Sequence, residues 1–265
     1  MQGLINLDMV QMDNFPTVGL KTSLPISILA LALYYLWGDM GFNDLRGLFW
    51  VVAFVMMLTL KKSENSLFSV TPQVSSFTHH VFPITVLAIG VACITLFYME
   101  FIRKYVTGQE VDYIVGFLVS GELEVSEKLN YLFETVILAP LSEEFFFRFI
   151  LLSSICLLLR NKFVGVILSS LLFAYGHEDP VVAFSLGITA SIVLLKYMSI
   201  YSAIIFHTIY NLWIYTVEVF IVPAFFFNDW DFAPSGNIGT TVSIMALAVS
   251  FLALLIIKRK EKSIQ

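Results

Sequence analysis

The sequence predicts an all-α protein, a polytopic bundle of about eight transmembrane helices that forms one integral-membrane domain over residues 1–265. Two observations predict this fold. Hydrophobic residues make up 58% of the 265 residues and charged residues only 13%, with a mean hydropathy of +0.85, whereas soluble domains carry about 25% charged residues. Apolar runs that approach the roughly 20 residues needed to cross a bilayer recur along the chain.

The predicted spans follow these apolar runs in order. They are residues 22–38, 47–60, 81–101, 130–159, 163–177, 180–196, 199–222 and 240–257. The fourth is too long for one simple crossing, and Pro140 inside it predicts a kink or a new helix start, because proline has no N–H and clashes with the preceding turn. The catalytic core is predicted over about residues 130–222.

Charge and cysteine content narrow the classes of protein that remain. The net charge is −5 and the cations are scattered, which argues against a nucleic-acid partner. The strongest cationic cluster, at residues 258–262, predicts a cytoplasmic C-terminus, and an even number of spans then places both termini in the cytoplasm. Without a signal peptide, the chain is expected in a prokaryotic plasma membrane. Cys93 and Cys156 have no metal-ligand spacing and are predicted to be small core residues.

The candidate functional residues are ionisable or polar side chains inside predicted spans, because a charge at membrane depth costs several kcal/mol unless it is paired or used. They fall in three short motifs. These are SEEFFFR with Glu143, Glu144 and Arg148; FAYGHEDP with His177; and IIFHTIYNLW with His207 and Asn211. The remaining histidines, His79 and His80, are predicted to lie in a polar loop.

Helical spacing divides the work between the two adjacent glutamates. Residues four apart share a helix face, and an acid that precedes a base at this spacing forms a favourable pair. Glu144 is therefore predicted to pair with Arg148. Glu143 lies about 100° round the helix from Glu144, so it can point elsewhere and take part in chemistry.

The same spacing groups the other polar residues. Phe173 lies one turn before His177, and His207 shares a face with Asn211. Because consecutive spans alternate in direction, all three motifs are predicted to lie toward the same leaflet and to converge at one level.

Together these residues predict a hydrolase. A carboxylate and a histidine, Glu143 and His177, can activate a water as general bases, while His207 and Asn211 can donate hydrogen bonds to the oxyanion of a cleaved amide. The chain has no G-x-S-x-G elbow, no serine or cysteine nucleophile beside a base and no H-E-x-x-H helix.

The motifs E-E-x-x-x-R, F-x-x-x-H and H-x-x-x-N, in this order, resemble those of the CPBP intramembrane glutamic endopeptidases. This family includes the type II CAAX prenyl endopeptidases and the prokaryotic Abi proteins linked to bacteriocin processing and self-immunity. The resemblance covers residues 143–211. It implies that Glu143 and His177 activate the water, that His207 and Asn211 form the oxyanion hole, and that Glu144 and Arg148 hold the arrangement in place. Phe173 is predicted to pack behind His177.

Three functions remain open at this stage. The first, which we favour, is a protease that needs no cofactor and cuts membrane-anchored or lipidated substrates, such as CAAX-type prenylated proteins or bacteriocin precursors. The second is a zinc metallopeptidase, since Glu143, His177 and His207 can supply three ligands. The third is a non-catalytic immunity or transport protein that uses the same buried charges. The sequence selects neither a substrate nor an oligomeric state.

Overall fold

The structure, a computed structural model, describes residues 74–99 and 125–217 of the chain. These residues are 93% helical and contain no strand, which confirms the all-α prediction for this part of the chain. The predicted spans 22–38, 47–60 and 240–257 lie outside the described residues, as do the two termini. The number of spans and the sidedness of the chain therefore stay predictions.

Seven α-helices and two π-helical segments make up the described chain. The α-helices are α1 (Val74–Phe97), α2 (Val125–Phe133), α3 (Ala139–Glu143), α4 (Ser153–Leu159), α5 (Lys162–Tyr175), α6 (Pro180–Tyr197) and α7 (Ile200–Thr216). The π-helical segments are π1 (Glu134–Leu138) and π2 (Glu144–Leu152). Together α2, π1, α3, π2 and α4 form one unbroken helical run, which corresponds to the long fourth span predicted from the sequence.

Two of these helices are long and apolar enough to cross a membrane. They contain the segments His80–Phe97 of α1 and Pro180–Tyr197, which is α6. The apolar helix α5 is shorter, with 14 residues. The beginning of α1 corrects one prediction, because His79 and His80 lie inside this helix and not in a loop. No glycine or proline separates Val74 from Phe82, so the helix can extend through this polar stretch.

Pro140 interrupts the hydrogen-bond register of the long helical run without ending the helix. The backbone N–H of Ala139 donates to the carbonyl oxygen of Glu134, five residues earlier, which is the π-helical pattern. The next acceptor in this register is the carbonyl of Thr135, and its donor would be residue 140. Because proline has no N–H, the Thr135 carbonyl receives no backbone hydrogen bond in this register.

The described residues belong to two compact units, and the boundary passes through the helical run after Pro140 and through α7 after Ile204. The first unit contains Leu141–Ile204. Its core is formed by side chains of π2, α4, α5, α6 and α7, namely Leu152, Cys156, Val166, Leu194, Leu195 and Ala203. The burial of Cys156 agrees with the predicted core role.

The second unit contains the rest of α1 from Thr78, residues 125–140 and the chain from Ile205. Val136 and Tyr215 are buried together in this unit. The Tyr210 hydroxyl donates to Thr95 Oγ1 at 2.9 Å, a buried hydrogen bond that joins α7 to α1. Cys93 of α1 is fully buried as predicted.

Small residues let the helices of the first unit pack closely, as is common in membrane proteins. A Cβ atom on Gly187 of α6 would lie 3.0 Å from the Cβ of Ser170 on α5. A Cβ atom on Gly165 of α5 would overlap with the Sγ of Cys156 on α4, and Leu152 Cδ1 would lie 3.4 Å away. Glycine is thus required sterically at the contact between α4 and α5.

We expect Gly165→Ala to lower the free energy of unfolding by about 1–3 kcal/mol, because it overpacks a core contact. Cys156→Ala should restore most of this loss when both changes are combined, since it removes the sulfur that the new methyl group would meet. Thermal unfolding of the two single variants and the double variant measures this coupling. Additive losses would show that the two positions do not compete for the same space.

Candidate active site

A buried ion pair occupies the start of the π2 segment. Arg148 Nε lies 3.2 Å from Glu144 Oε2, and the two side chains are 1% and 0% exposed. The pairing predicted from the spacing of these residues is therefore confirmed, although the segment is π-helical and not α-helical. In an i→i+5 helix the fourth residue along still returns close to the first, so the pair survives the change of register. All nine residues of π2 are buried.

Aromatic rings complete the surroundings of the buried guanidinium. Arg148 Cζ lies 4.2 Å from the ring centroid of Phe173, at a distance typical of a cation–π interaction. Among the described residues, Arg148 Nη1 and Nη2 have no hydrogen-bond partner. The Glu144 carboxylate and the Phe173 ring are therefore the main groups that stabilise the buried positive charge. The phenylalanines of π2 are packed in the interior, as expected for structural rather than substrate-binding side chains.

Phe173 also contacts the first candidate catalytic histidine. Its ring centroid lies 4.2 Å from that of His177, with the planes inclined by 43°. Phe147 packs edge-on against the Phe173 ring, with the two ring centroids 5.1 Å apart. The predicted position of Phe173 behind His177 is confirmed, and one phenylalanine ring thereby joins the ion pair to the histidine.

His177 faces the second glutamate of the motif. Its Nε2 lies 3.9 Å from Glu143 Oε2, and the two side chains are 32% and 25% exposed. A separation of 3.9 Å is longer than a direct hydrogen bond, but two hydrogen bonds to one shared water fit this distance. The adjacent glutamates thus have different partners, Arg148 for Glu144 and His177 for Glu143.

A backbone carbonyl fixes the orientation of the imidazole. His177 Nδ1 lies 2.7 Å from the carbonyl oxygen of Phe173. Because a carbonyl can only accept, Nδ1 must carry the proton, and in the neutral ring Nε2 then has the lone pair. The nitrogen that faces Glu143 can therefore accept a proton.

The turn that carries His177 is held at both ends. At the end of α5, the backbone N–H of Gly176 donates to Phe173 O at 3.3 Å and that of His177 to Ala174 O at 3.1 Å. At the start of α6, Asp179 Oδ1 accepts from the backbone N–H groups of Val181 and Val182, both at 3.1 Å. Asp179 therefore caps a helix. The group that orients His177 is the Phe173 carbonyl.

The third motif lies on α7 in the second unit. His207 and Asn211 are four residues apart on this helix, as predicted, with His207 buried and Asn211 half-buried. The Asn211 amide donates through Nδ2 to the carbonyl oxygen of Thr135 at 2.8 Å. Convergence of this motif with Glu143 and His177 stays a prediction.

Two hydrogen bonds of these motifs could not be predicted from the sequence. Their acceptors, Phe173 O and Thr135 O, are backbone atoms. Every residue has a backbone carbonyl, so the residue type does not indicate which one accepts a side-chain hydrogen bond. The only available signals were the four-residue step from Phe173 to His177 and the proline five residues after Thr135.

Within neither unit do three histidine, cysteine, aspartate or glutamate side chains of the described residues form a group that could hold a metal ion.

Comparison with known proteins gives one match. Residues 126–213 match the sequence model of the family described as Type II CAAX prenyl endopeptidase Rce1-like. Residues 126–213 form an Rce1-like domain. No curated protein and no solved structure matches the chain.

The Rce1-like domain contains all three motifs, from Glu143 to Asn211, and ends two residues after the last of them. The family resemblance inferred from these motifs is thereby confirmed. The matched family is described as one of CAAX prenyl endopeptidases, and the apolar helices α1 and α6 agree with a membrane protein.

The two adjacent glutamates of the Rce1-like domain should differ sharply in their effect on stability. Glu144→Gln leaves the buried Arg148 charge without its counter-ion and should lower the free energy of unfolding by about 3–5 kcal/mol. Glu143→Gln is the matched control, and it should cost less than about 1 kcal/mol because the Glu143 side chain is partly exposed. Thermal unfolding in detergent measures both. Equal losses would contradict the assignment of Glu144 as the structural partner.

Proposed function

We propose that this protein is an intramembrane glutamic endopeptidase in which Glu143 and His177 activate the attacking water. The observation that carries the proposal is the 3.9 Å separation of Glu143 Oε2 and His177 Nε2, with the imidazole oriented so that Nε2 can accept a proton. Two acceptors at this distance can each take a hydrogen bond from one water, which leaves a lone pair of its oxygen available for attack.

The proposed reaction is the hydrolysis of one peptide bond by one water molecule. The water oxygen forms a bond to the carbonyl carbon of the scissile peptide while one water proton moves to the Glu143 carboxylate. The carbonyl oxygen becomes an oxyanion. Collapse of the tetrahedral intermediate breaks the C–N bond, and the proton held by Glu143 passes to the leaving nitrogen. The products are a carboxylic acid and an amine, and Glu143 returns to its ionised form.

His207 and Asn211 are proposed to stabilise the oxyanion. An imidazole N–H and an amide N–H are both suitable donors, and removal of one such donor typically slows an acyl-transfer enzyme by about 10²–10³-fold. This assignment requires that α7 bring both side chains to the scissile carbonyl. It is supported by the family resemblance and by the shared face of His207 and Asn211 on α7.

The substrates are proposed to be membrane-anchored proteins or peptides, with prenylated CAAX-type sequences as the first candidates. The support is the family description of residues 126–213 together with the apolar helices α1 and α6, which are long enough to cross a bilayer. Processing of bacteriocin or other peptide precursors, as in the Abi proteins, is the second group to be tested.

Glu143→Gln should reduce kcat by about 10²–10⁴-fold, because glutamine keeps the shape of the side chain but cannot take the proton. Glu178→Gln is the matched control, since Glu178 is exposed, adjacent to His177 in sequence and without a role in the mechanism. Initial cleavage rates of a panel of prenylated and acylated peptides in proteoliposomes measure the difference. Comparable activity of Glu143→Gln and wild type would refute the mechanism.

Chelators should leave the cleavage rate unchanged, because the proposed mechanism uses side chains alone. The test is to incubate the purified protein with EDTA and, separately, with 1,10-phenanthroline before the cleavage assay. Loss of activity that added zinc restores would instead establish the metallopeptidase alternative, with Glu143, His177 and His207 as the candidate ligands.

A further inference from the structure

The strongest feature that the proposed mechanism does not use is the proline that precedes the glutamate motif. Pro140 is the second residue of α3, the helix that directly follows the π1 segment. An interior proline strongly destabilises a helix relative to alanine. The position of this proline, five residues after an acceptor that contacts a candidate catalytic side chain, suggests what it contributes.

The hydrogen bonds around Pro140 leave one carbonyl for a side chain. In an α-helical register the Thr135 carbonyl would accept from the N–H of Ala139, but that N–H donates to Glu134 O. In the π-helical register it would accept from residue 140, which has no N–H. The Asn211 amide supplies the missing donor, at 2.8 Å. A buried or half-buried carbonyl without a partner is costly, so this oxygen favours a donor strongly.

The identity of the donor determines how the asparagine is oriented. An amide side chain has an acceptor end and a donor end of nearly equal shape. If the Asn211 amide were rotated by 180°, its oxygen would face the Thr135 oxygen, and two acceptors repel each other. The carbonyl therefore selects the orientation in which Nδ2 faces π1. Nδ2 carries two hydrogens, and the Thr135 bond uses one of them.

We infer that Pro140 is a positioning residue for Asn211: by withholding a backbone N–H from Thr135 O, it makes that oxygen the acceptor that orients the Asn211 amide for catalysis. The structural half of this inference, the coupling of Pro140 to Asn211, stands on the described hydrogen bonds. The catalytic half rests on the proposed function, in which the second hydrogen on Nδ2 binds the oxyanion.

Pro140→Ala tests the inference directly, because it adds one N–H at the decisive position. In the α-helical register the Thr135 carbonyl would accept from Ala139, and in the π-helical register it would accept from the new N–H, so in either case a backbone donor competes with the Asn211 amide for this oxygen. We expect kcat to fall about tenfold with KM unchanged within about twofold, since a loosened oxyanion donor affects the transition state more than substrate binding.

A double-variant cycle separates positioning from general damage. Asn211→Ala alone should reduce kcat by about 10²-fold, and Pro140→Ala should cause no further loss in that background, because the group it acts through is gone. Pro83→Ala is the matched control, as it removes a proline from inside α1, in the same unit, and should leave kcat unchanged. Multiplied losses in the double variant, or a wild-type kcat in Pro140→Ala, would overturn the inference.

Thermal unfolding of the wild type, Asn211→Ala, Pro140→Ala and the double variant tests the coupling independently of the proposed function. Asn211→Ala should lower Tm by a few degrees in the wild-type background, where Thr135 O loses its donor, and by clearly less in the Pro140→Ala background, where the backbone supplies one. Equal shifts in both backgrounds would overturn the structural half. If Glu143→Gln cleaves as well as wild type, the proposed function fails, and this coupling still decides whether Pro140 controls Asn211.

Folding of the test variant is expected because alanine is a better helix former than proline. Pro140→Gly is the second variant, since it restores the same N–H with a weaker helix preference. Both variants should show the same reduction of kcat and the same reduced effect of Asn211→Ala on Tm. A reduction of kcat in Pro140→Gly alone would attribute the effect to helix flexibility and would overturn the role of the N–H.

Discussion

The buried charge of Arg148 is the constraint on which the rest of the first unit depends. A guanidinium that is 1% exposed must be neutralised in place, because an unpaired charge in an apolar interior costs several kcal/mol. Glu144 neutralises it, and this pairing fixes the rotation of the helical run about its axis. The neighbouring residue Glu143 is thereby turned toward His177. One structural ion pair thus decides which of the two adjacent carboxylates faces the histidine.

The same guanidinium organises the histidine through an aromatic ring. Phe173 lies under Arg148 and beside His177, and its carbonyl oxygen holds His177 Nδ1. A single residue of α5 therefore places the imidazole with its side chain and selects its tautomer with its backbone. The turn after α5 adds the Gly176 and Asp179 contacts at either end. These local contacts leave the Nε2 lone pair facing Glu143.

The spacing within each motif was predictable from the sequence because helices make it a local property. Glu144 with Arg148, Phe173 with His177, and His207 with Asn211 are all four residues apart, and helical geometry brings such pairs together whatever the surroundings. The π register around Pro140 was not predictable, because it depends on which distant group replaces the lost N–H. That group is Asn211, 76 residues away. Backbone acceptors such as Thr135 O and Phe173 O were likewise invisible, since every residue carries one.

The difference in exposure between the two acid–base pairs argues for their separate roles. Glu144 and Arg148 are closed off from solvent, whereas Glu143 and His177 retain 25% and 32% of their accessible surface. A pair that only holds a helix in place gains from exclusion of water, because its attraction strengthens as the dielectric constant falls. A pair that activates water must admit it. Because both pairs begin at consecutive residues of one helical run, the chain changes from a closed ion pair to a solvent-accessible pair within a single peptide bond, as the proposed mechanism requires.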